Sequence, residues 1–362
     1  MKYFAVFIPG FEEVVTEIVR NRLDDVKIHK SLDGAILFET GCTYDRLNFF
    51  CFNNIFALID IQEFKKNGKL KDGENNNSHY PELHMEKILT IDSKSGGTGY
   101  PVKLQNFPDY SVISDNNKKI KSFRLVFSVE NKPVSVNENL KRGIENFITR
   151  NSGMRADRSG PDTEFWFLYR REGFSVFMKR LTNHRIGEKS LHKGELSPQL
   201  AWFLCHAAGL KHGEIAFDPF CGYGAIPLAA CKHFPIERIY ASDNDPGCIK
   251  YAQSKNKFGS RCEIQQMDFR AIKDSIPEKA DVIITDPPWG AYDAGLPIQK
   301  LYDDMLVVFS GLLKSGGRAV VLSAASMEFE SAVKKVPSFT ISKIIPILVS
   351  GMKAKVYIVL NG

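Results

Sequence analysis

At 362 residues, the chain is more than twice the length of a typical domain, which predicts two or three domains. Hydrophobic residues make up 43% and charged residues 25% of the chain, and this balance excludes a largely disordered protein. The net charge of +6 is modest, but the charge is unevenly distributed along the chain.

The apolar runs and the cysteines indicate in which cellular compartment the protein is expected. The longest apolar runs are about half of the ~20 residues that a bilayer span requires, and the N-terminal one is too short for a signal peptide. The seven cysteines contain no CxxC pair, which disfavours a disulfide framework and a structural metal site. We therefore expect a reduced, cytoplasmic protein with no metal and no membrane partner.

The N-terminal third predicts a small α+β unit. Residues 3–8 alternate as a strand, and apolar residues at helical spacing follow over 11–23. A strand pair turned at Asp33-Gly34, a short helix over 44–51 and a strand over 55–61 complete a βαββαβ order. This order predicts a ferredoxin-like unit over residues 1–62. The polar residues that follow predict a linker and irregular insert over 63–117.

Residues 118–189 concentrate positive charge. They carry 16 Lys and Arg against 8 Asp and Glu, a balance of +8. A strand, a helix and two further strands are predicted here, and the basic side chains lie among them. Such a block is either a polyanion-binding surface or a solvated face, and charge alone leaves both readings open.

Residues 190–362 alternate helices and strands and end in a predicted hairpin. This alternation predicts a parallel sheet covered by helices. A strand enters the glycine-rich turn Asp218-Pro219-Phe220-Cys221-Gly222-Tyr223-Gly224, and a helix follows. The turn lacks the third glycine of a dinucleotide fingerprint, since Pro227 stands there. A turn that opens with Asp218 suits a ligand with an amino group, such as S-adenosylmethionine.

Two further carboxylates follow the next strands. Asp243 comes about 20 residues after the glycine turn, where ribose hydroxyls are contacted in open α/β sheets. Asp268 follows the third strand, where it could accept a hydrogen bond from an adenine amino group. Either residue alone is more typical of a surface or a helix cap, but their series at successive strand ends favours a cofactor site.

The most specific motif is Asp286-Pro287-Pro288-Trp289, at the end of a buried strand. Two prolines stiffen the turn and remove two N–H donors, which leaves carbonyl oxygens and a carboxylate as acceptors beside an aromatic plane. This arrangement suits an exocyclic amine on a flat base. We predict that Asp286 and Pro287 accept hydrogen bonds from the amine while Trp289 stacks on the ring.

The chain resembles the THUMP-domain RNA guanine-N2 methyltransferases, whose catalytic signature is Asp/Asn-Pro-Pro-aromatic. Ser152-Gly153-Met154-Arg155-Ala156-Asp157 and the later Leu181-Thr182 are similar to the THUMP pattern, and Leu196-Ser197-Pro198 is similar to the start of the linking helix. The resemblance implies a Rossmann-like methyltransferase domain over 190–362, with a mostly parallel seven-stranded sheet. A ferredoxin-like unit and a THUMP-like RNA-binding domain over 118–189 precede it.

The resemblance also implies roles for individual residues. S-adenosylmethionine is the implied cofactor, and structured RNA, either tRNA or rRNA, is the implied partner. The expected catalytic residues are Asp286, Pro287 and Trp289. The expected cofactor-binding residues are Asp218, Pro219, Phe220, Cys221, Gly222, Gly224, Asp243, Asn244, Asp268 and Phe269. The expected RNA-binding residues are Arg155, Arg158, Lys179, Arg180 and Arg185.

Two alternatives use the same residues differently. A DNA adenine-N6 methyltransferase shares the four-residue turn, although the separate basic block disfavours it. A catalytically idle RNA-binding protein would keep the fold, although the survival of Asp218, Asp243, Asp268 and Asp286 together disfavours it. Neither the choice between tRNA and rRNA nor an oligomeric state follows from the sequence.

Overall fold

The computed structural model describes residues 1–42, 47, 49–63, 79–94, 120–130, 132–182, 191–276, 278–290, 295, 297–349 and 351–362. The chain divides into two compact units. The first comprises Met1–Val6, Thr16–Phe49 and Asn54–Glu188. The second comprises Phe7–Val15, Phe50–Asn53 and Lys189–Gly362. The finer division of the first unit at residues 62 and 117 stays a prediction.

The chain begins with the antiparallel part of the first unit's sheet. Its strands are β1 (Lys2–Val6), β2 (Lys27–Leu32), β3 (Ala35–Glu39) and β4 (Asn54–Glu63), and the helix α1 (Glu12–Arg22) lies between β1 and β2 in the chain. The strands lie in the order β2-β3-β1-β4 with antiparallel pairs, which is the ferredoxin-like order. Gly34, with φ of 78°, forms the turn between β2 and β3. The helix predicted over 44–51 lies mostly outside the described residues.

The same sheet continues through β4 into the basic block. The added strands are β5 (Ser122–Val129), β6 (Lys132–Pro133), β7 (Arg155–Ala156), β8 (Thr163–Arg170) and β9 (Phe174–Arg180), in the order β4-β9-β8-β5-β6, with β7 beside β5. The parallel pair β5–β8 is connected through α3 (Glu138–Ser152). Asn137 caps that helix at its start, and Gly153, in the left-handed region with φ of 70°, ends it.

A helix not predicted from the sequence, α2 (His79–Lys94), lies inside the expected linker. Its residues Met85 and Ile88 are buried in a core with Phe123, Phe147 and Phe167. The sequence favours an irregular segment here because polar residues surround its few apolar ones. Packing of that small apolar set against the sheet stabilises the helix.

The second unit holds a seven-stranded sheet in the order β12-β11-β10-β13-β14-β16-β15. The strands are β10 (Ile215–Asp218), β11 (Arg238–Asp243), β12 (Cys262–Gln266), β13 (Ala280–Thr285), β14 (Leu313–Ser323), β15 (Phe339–Val349) and β16 (Met352–Asn361). The pairs from β12 to β14 are parallel, and β16 lies antiparallel to β14 and β15. The predicted mostly parallel sheet is confirmed.

Helices connect these strands. They are α4 (Pro198–Ala207), α5 (Ala225–His233), α6 (Pro246–Lys255), α7 (Ile272–Ser275), α8 (Ile298–Leu312) and α9 (Ser326–Lys334). The chain order reverses at β10, because β11 pairs with one of its edges and β13 with the other. Ligands of open α/β sheets bind at such a point, beyond the carboxyl ends of the strands. None of the described helices combines the length and the apolar character that a membrane crossing requires.

Candidate active site

A cavity of about 740 Å³ opens beyond the carboxyl ends of β10 to β13 in the second unit. Its size lies within the range of small-molecule sites. The predicted residues that line it are Pro219, Phe220, Cys221, Gly222, Asp243, Asn244, Asp268, Phe269, Asp286, Pro287 and Trp289. The fold therefore brings most of the separate sequence motifs to one site.

The glycine turn forms one wall of the cavity. Gly222 has φ of 49°, and a Cβ placed on it would meet no atom within 4 Å, so the wall offers room for a ligand beside the backbone. Gly224 has φ of 85°, and a Cβ there would lie 2.9 Å from the Cβ of Ala252 on α6. The first glycine leaves space for a ligand, and the second allows close helix packing.

Asp243, at the end of β11, is fixed by main-chain donors. Its carboxylate accepts hydrogen bonds from the N–H of Gly222 at 2.8 Å and from that of Asp245 at 3.0 Å. These bonds connect the second strand end to the glycine turn. The carboxylate is only partly buried and lines the cavity, so it keeps acceptor capacity for a hydroxyl group.

Asp268 is already paired within the protein. It caps the short 3₁₀ helix Phe269–Ala271 by accepting from the N–H of Arg270, and it forms a salt bridge of 3.1 Å with the guanidinium of that residue. The guanidinium carbon also lies 4.5 Å from the centroid of the Phe269 ring. Sequence reasoning missed Arg270, because no spacing rule distinguishes it from an ordinary surface arginine.

Asp286 is a strongly perturbed carboxyl group in the cavity wall. Its Oδ1 atom is buried and has no hydrogen-bond partner among the residues that the structure describes. Burial raises the pKa of this carboxyl to about 7, against the opposing effect of a hydrogen bond with Trp289. A carboxyl of this kind can accept a proton near neutral pH. No hydrogen bond from the described residues reaches the carbonyl of Pro287.

Asp218 and Gly224, both predicted to bind the cofactor, do not line the cavity. Asp218 is completely buried and accepts from the Thr285 hydroxyl at 2.8 Å and from the N–H of Phe220. Burial, together with the charges of Asp243 and Asp286, raises the pKa of Asp218 well above its usual range. The structure therefore shows Asp218 supporting the turn, and its contact with a cofactor stays a prediction.

Two further parts of the wall were missed in the sequence. His192 stacks on Tyr223 with ring centroids 4.6 Å apart, and Tyr251 meets the His192 ring edge-on at 4.9 Å. Val349 and Met352, at the turn of the β15–β16 hairpin, line the cavity as well. Neither the His192 ring cluster nor the hairpin turn belongs to a recognisable sequence motif. Both reach the cavity only because the chain folds back on itself, so the local sequence does not indicate their place in the site.

The predicted RNA-binding residues differ in accessibility. The side chains of Arg155 and Arg158 are 79% and 54% exposed, and Arg158 is paired with Glu138 at 2.7 Å. Lys179 is buried, and Arg180 forms a 3.1 Å salt bridge with the fully buried Glu164. The two exposed arginines are thus the better candidates for phosphate contacts. Arg185 lies outside the described residues.

The cavity suits S-adenosylmethionine on three observations. The open space beside Gly222 can receive a ligand close to the backbone. The Asp243 carboxylate can accept hydrogen bonds from ribose hydroxyls. Phe220 and Phe269, with ring centroids 4.9 Å apart, offer apolar surface for an adenine ring. Among the described residues there is no cluster of three or more His, Cys, Asp or Glu side chains placed to hold a metal ion.

Comparison with known proteins is consistent with this geometry. Residues 188–345 match the family UPF0020, described as an RMKL-like methyltransferase domain. The chain is 28% identical over 208 residues to a tRNA (guanine(10)-N2)-dimethyltransferase of Methanothermobacter thermautotrophicus, covering 54% of this chain and 60% of that protein. It is 26% identical over 182 residues to the human U6 snRNA (guanine-N(2))-methyltransferase THUMPD2, covering 48% and 35%. The matches thus span less than two thirds of either relative.

The likeness to solved structures extends over the whole chain. TrmN from Thermus thermophilus superposes with a TM-score of 0.74 at 19% identity, covering 100% of this chain and 99% of that one. A putative methyltransferase, SMU.472, crystallised with SAH, has a TM-score of 0.68 at 12% identity and covers 99% and 97%. The predicted fold class is confirmed by the solved structures, and the resemblance to RNA guanine-N2 methyltransferases is confirmed by the sequence matches, among which residues 188–345 match a methyltransferase domain.

Proposed function

We propose that this protein transfers a methyl group from S-adenosylmethionine to the N2 amine of a guanine in RNA. The observation that carries the proposal is the Asp286 carboxyl, which lines the cavity within an Asp-Pro-Pro-Trp turn and has a buried oxygen without a partner among the described residues. A base amine supplies the donors that this oxygen lacks. The two curated relatives described above are both named for methylation of guanine N2.

The residues around the turn can position and deprotonate such an amine. The Asp286 carboxylate and the Pro287 carbonyl accept the two N–H hydrogens, which fixes the direction of the nitrogen lone pair. Trp289 offers an aromatic plane to the base. When bound, S-adenosylmethionine would supply an electrophilic methyl group, whose bond to sulfur would break as the bond to nitrogen forms, and the neutral thioether S-adenosylhomocysteine would be the leaving group. As the N–C bond forms, the amine nitrogen becomes strongly acidic, and Asp286, with its raised pKa, takes the released proton.

RNA is favoured over DNA by the names of the two curated relatives, and the first unit offers cations that suit a nucleic-acid backbone. Its exposed arginines, such as Arg155, provide cations for phosphates outside the methyltransferase domain. Both curated relatives are named for RNA substrates, one of them a tRNA. Within this proposal, tRNA is the first substrate to test and rRNA the second. Action on tRNA would agree with the cytoplasmic location expected from the reduced cysteines.

The direct test offers the full-length protein a choice of nucleic acids. The protein is incubated with isotope-labelled S-adenosylmethionine and, separately, with unmodified tRNA, rRNA and duplex DNA, and the digested nucleosides are identified by mass spectrometry. We expect label in N2-methylguanosine from RNA, and none with Asp286→Ala. Label in N6-methyladenine from DNA would support the rival methyltransferase. Cofactor binding without transfer to any of the three would support an idle RNA-binding protein.

A further inference from the structure

The Asp-Pro-Pro-Trp turn is attached to the sheet by a directional chain of hydrogen bonds. The N–H of Ala325 donates to the Ser323 hydroxyl at 3.0 Å. The Ser323 and Tyr302 hydroxyls are 2.8 Å apart, and the Tyr302 hydroxyl donates to the carbonyl of Pro288 at 3.1 Å. Since Tyr302 has one hydroxyl proton and gives it to Pro288, the proton between the hydroxyls comes from Ser323. Every donor in this chain then points toward the turn.

The chain of bonds lies in a buried environment. Tyr302, on α8, and Ser323, at the end of β14, are both fully buried. A second attachment runs from the indole nitrogen of Trp289 to the carbonyl of Leu322 at 3.2 Å. Hydrogen bonds in series strengthen one another in a surrounding of low dielectric constant. The turn is therefore bound to two consecutive residues of β14, once directly and once through Tyr302.

The bond to Pro288 restricts the main freedom that the turn retains. The rings of Pro287 and Pro288 fix φ near −65° at both positions, so the direction of the turn depends on the ψ angles. The ψ angle of Pro288 determines where its carbonyl points and where Trp289 follows. Because Tyr302 holds that carbonyl, it also fixes the orientation of the Trp289 peptide unit. The carbonyl of Pro287 and the carboxyl of Asp286 remain for a substrate.

We propose that Tyr302 is a positioning residue for methyl transfer, acting through the Pro288 carbonyl. This inference rests on the proposed function. Tyr302 is absent from the residues that line the cavity, so it is not expected to contact the base or the cofactor. By holding the Pro288 carbonyl, its hydroxyl keeps the end of the turn, and the Trp289 ring that follows, in place beside the acceptors at Asp286 and Pro287. Small misplacements of such groups reduce rates strongly, up to about 100-fold for about 1 Å.

Tyr357 provides a matched control. It is fully buried in the same hydrophobic cluster as Tyr302, and both rings pack against Phe329. Its hydroxyl also donates a hydrogen bond, to Glu330 at 2.9 Å, but that bond leads away from the turn. Tyr302→Phe and Tyr357→Phe therefore remove the same atom from the same core.

The kinetic experiment compares these two variants in the full-length protein with unmodified tRNA. We expect Tyr302→Phe to lower kcat about tenfold or more, with the Kd of S-adenosylmethionine and the KM of the RNA within about twofold of wild type. Tyr357→Phe should keep kcat within about twofold. Equal kcat in the two variants would overturn the inference. Should Tyr302→Phe not fold, Ser323→Ala removes the donor to Tyr302, and kcat equal to wild type in that variant would overturn it.

A second readout does not depend on activity. Hydrogen–deuterium exchange of a peptide covering residues 283–290 reports the amides of Trp289 and Gly290 together with those of Thr285 and Asp286, since the two prolines have none. We expect faster exchange there in Tyr302→Phe and wild-type exchange in Tyr357→Phe. Unchanged exchange in Tyr302→Phe would overturn the positioning role even if wild type methylates RNA. Absence of methylation by wild type would instead contradict the proposed function, and the exchange experiment would still decide whether Tyr302 holds the turn.

Discussion

Asp243 and Asp286 both follow parallel strands, yet their neighbours give them different properties. Asp243 accepts two main-chain hydrogen bonds, from Gly222 and Asp245. Asp286 is followed by two prolines, which have no N–H to donate, and one of its buried oxygens finds no partner among the described residues. Burial, opposed only by a hydrogen bond with Trp289, raises the pKa of Asp286 to about 7. The prolines thus make the turn rigid and also keep its carboxyl basic.

The raised pKa predicts how methyl transfer depends on pH. Below pH 7 the Asp286 carboxyl is protonated in the free enzyme and cannot accept the amine proton. We expect kcat/KM to rise with pH through a midpoint near 7 and to level off above it. The measurement is kcat/KM for tRNA between about pH 5.5 and 8.5, with enzyme integrity checked at each pH. A flat profile over this range would contradict the role of Asp286 as proton acceptor.

The raised pKa of Asp286 also predicts how stability depends on pH. Stability should decrease with rising pH, whereas methyl-transfer activity should increase. Because the pKa of Asp286 is higher in the folded than in the unfolded state, its contribution to stability is fully present below about pH 4 and is lost as pH rises through 7. Asp286→Asn carries no such charge. We expect this variant to be inactive and to be more stable than wild type at about pH 8.5, by on the order of 2–4 kcal/mol.

Chemical unfolding at several pH values tests this prediction. The difference in free energy of unfolding between Asp286→Asn and wild type should be smallest near pH 4, should grow between about pH 4 and 7, and should level off above that range. Asp303→Asn, a change at a surface carboxylate paired with Lys335, serves as a control for loss of one negative charge. A difference that is independent of pH would mean that Asp286 is not the buried titrating group.

Residues at strand ends were predictable, and residues that reach the cavity by packing were not. Asp243 and Asp286 follow apolar strands, and the topology of a parallel sheet brings such positions together. Arg270 and His192 occupy the cavity wall because of local turns and ring stacking, which leave no periodic pattern in the sequence. Asp218 shows the converse, since its position at a strand end was foreseen but its complete burial beside Thr285 was not.

At the scale of elements, α2 owes its place on the first sheet to one buried polar side chain as well as to apolar ones. His84 is fully buried and lies 2.9 Å from the Ser175 hydroxyl and 3.1 Å from the Asp60 carboxylate. Its ring meets Phe167 edge-on at 5.3 Å. The sequence did not predict this helix, because its contacts with the sheet involve strands about 24 and 91 residues away.

These contacts predict that the attachment of α2 weakens in acid. Burial lowers the pKa of His84, against the opposing effect of Asp60, while the charge of Lys87 lowers it further. The unfolded chain therefore binds this proton more readily, and the stabilising contribution is present above about pH 6.5 and lost below it. His84→Asn should reduce stability by ~1–3 kcal/mol at about pH 7.5 and should weaken the dependence on pH between about 7.5 and 5.

The measurement for α2 is hydrogen–deuterium exchange of peptides within residues 79–94 at about pH 7.5 and pH 5.5, corrected for the intrinsic rates. We expect protection in wild type to fall at the lower pH and to be low at both values in His84→Asn. His212→Asn, at an exposed position of the second unit, should behave as wild type. Equal protection of wild type at the two pH values would contradict a pH-sensitive contact at His84.

At the scale of the whole molecule, the positive balance of residues 118–189 is only partly available at the surface. Glu164 is buried between Arg124 and Arg180, which compensates part of the charge inside the unit. Arg142 and Arg155 remain largely exposed. The composition gives the excess of basic side chains, but it does not distinguish the basic side chains that form salt bridges inside the fold from those that are exposed to solvent. Only the latter can release counterions from RNA.

This distinction predicts the outcome of charge reversal in the full-length protein. The double variant Arg142→Glu and Arg155→Glu should bind tRNA more weakly and with a smaller dependence on salt, by roughly 0.7–0.9 in the logarithmic slope for each phosphate that is no longer neutralised. Lys300→Glu with Lys335→Glu changes the net charge equally at exposed positions of the second unit. Both doubles should bind S-adenosylmethionine as wild type does, since none of the four residues lines the cavity.

Binding is measured by fluorescence anisotropy of labelled tRNA at several salt concentrations and by calorimetry for the cofactor. If the two doubles bound RNA equally weakly, the first unit would contribute only to the overall charge. A larger decrease in affinity and a flatter slope in the arginine double alone would locate RNA binding on the surface around α3.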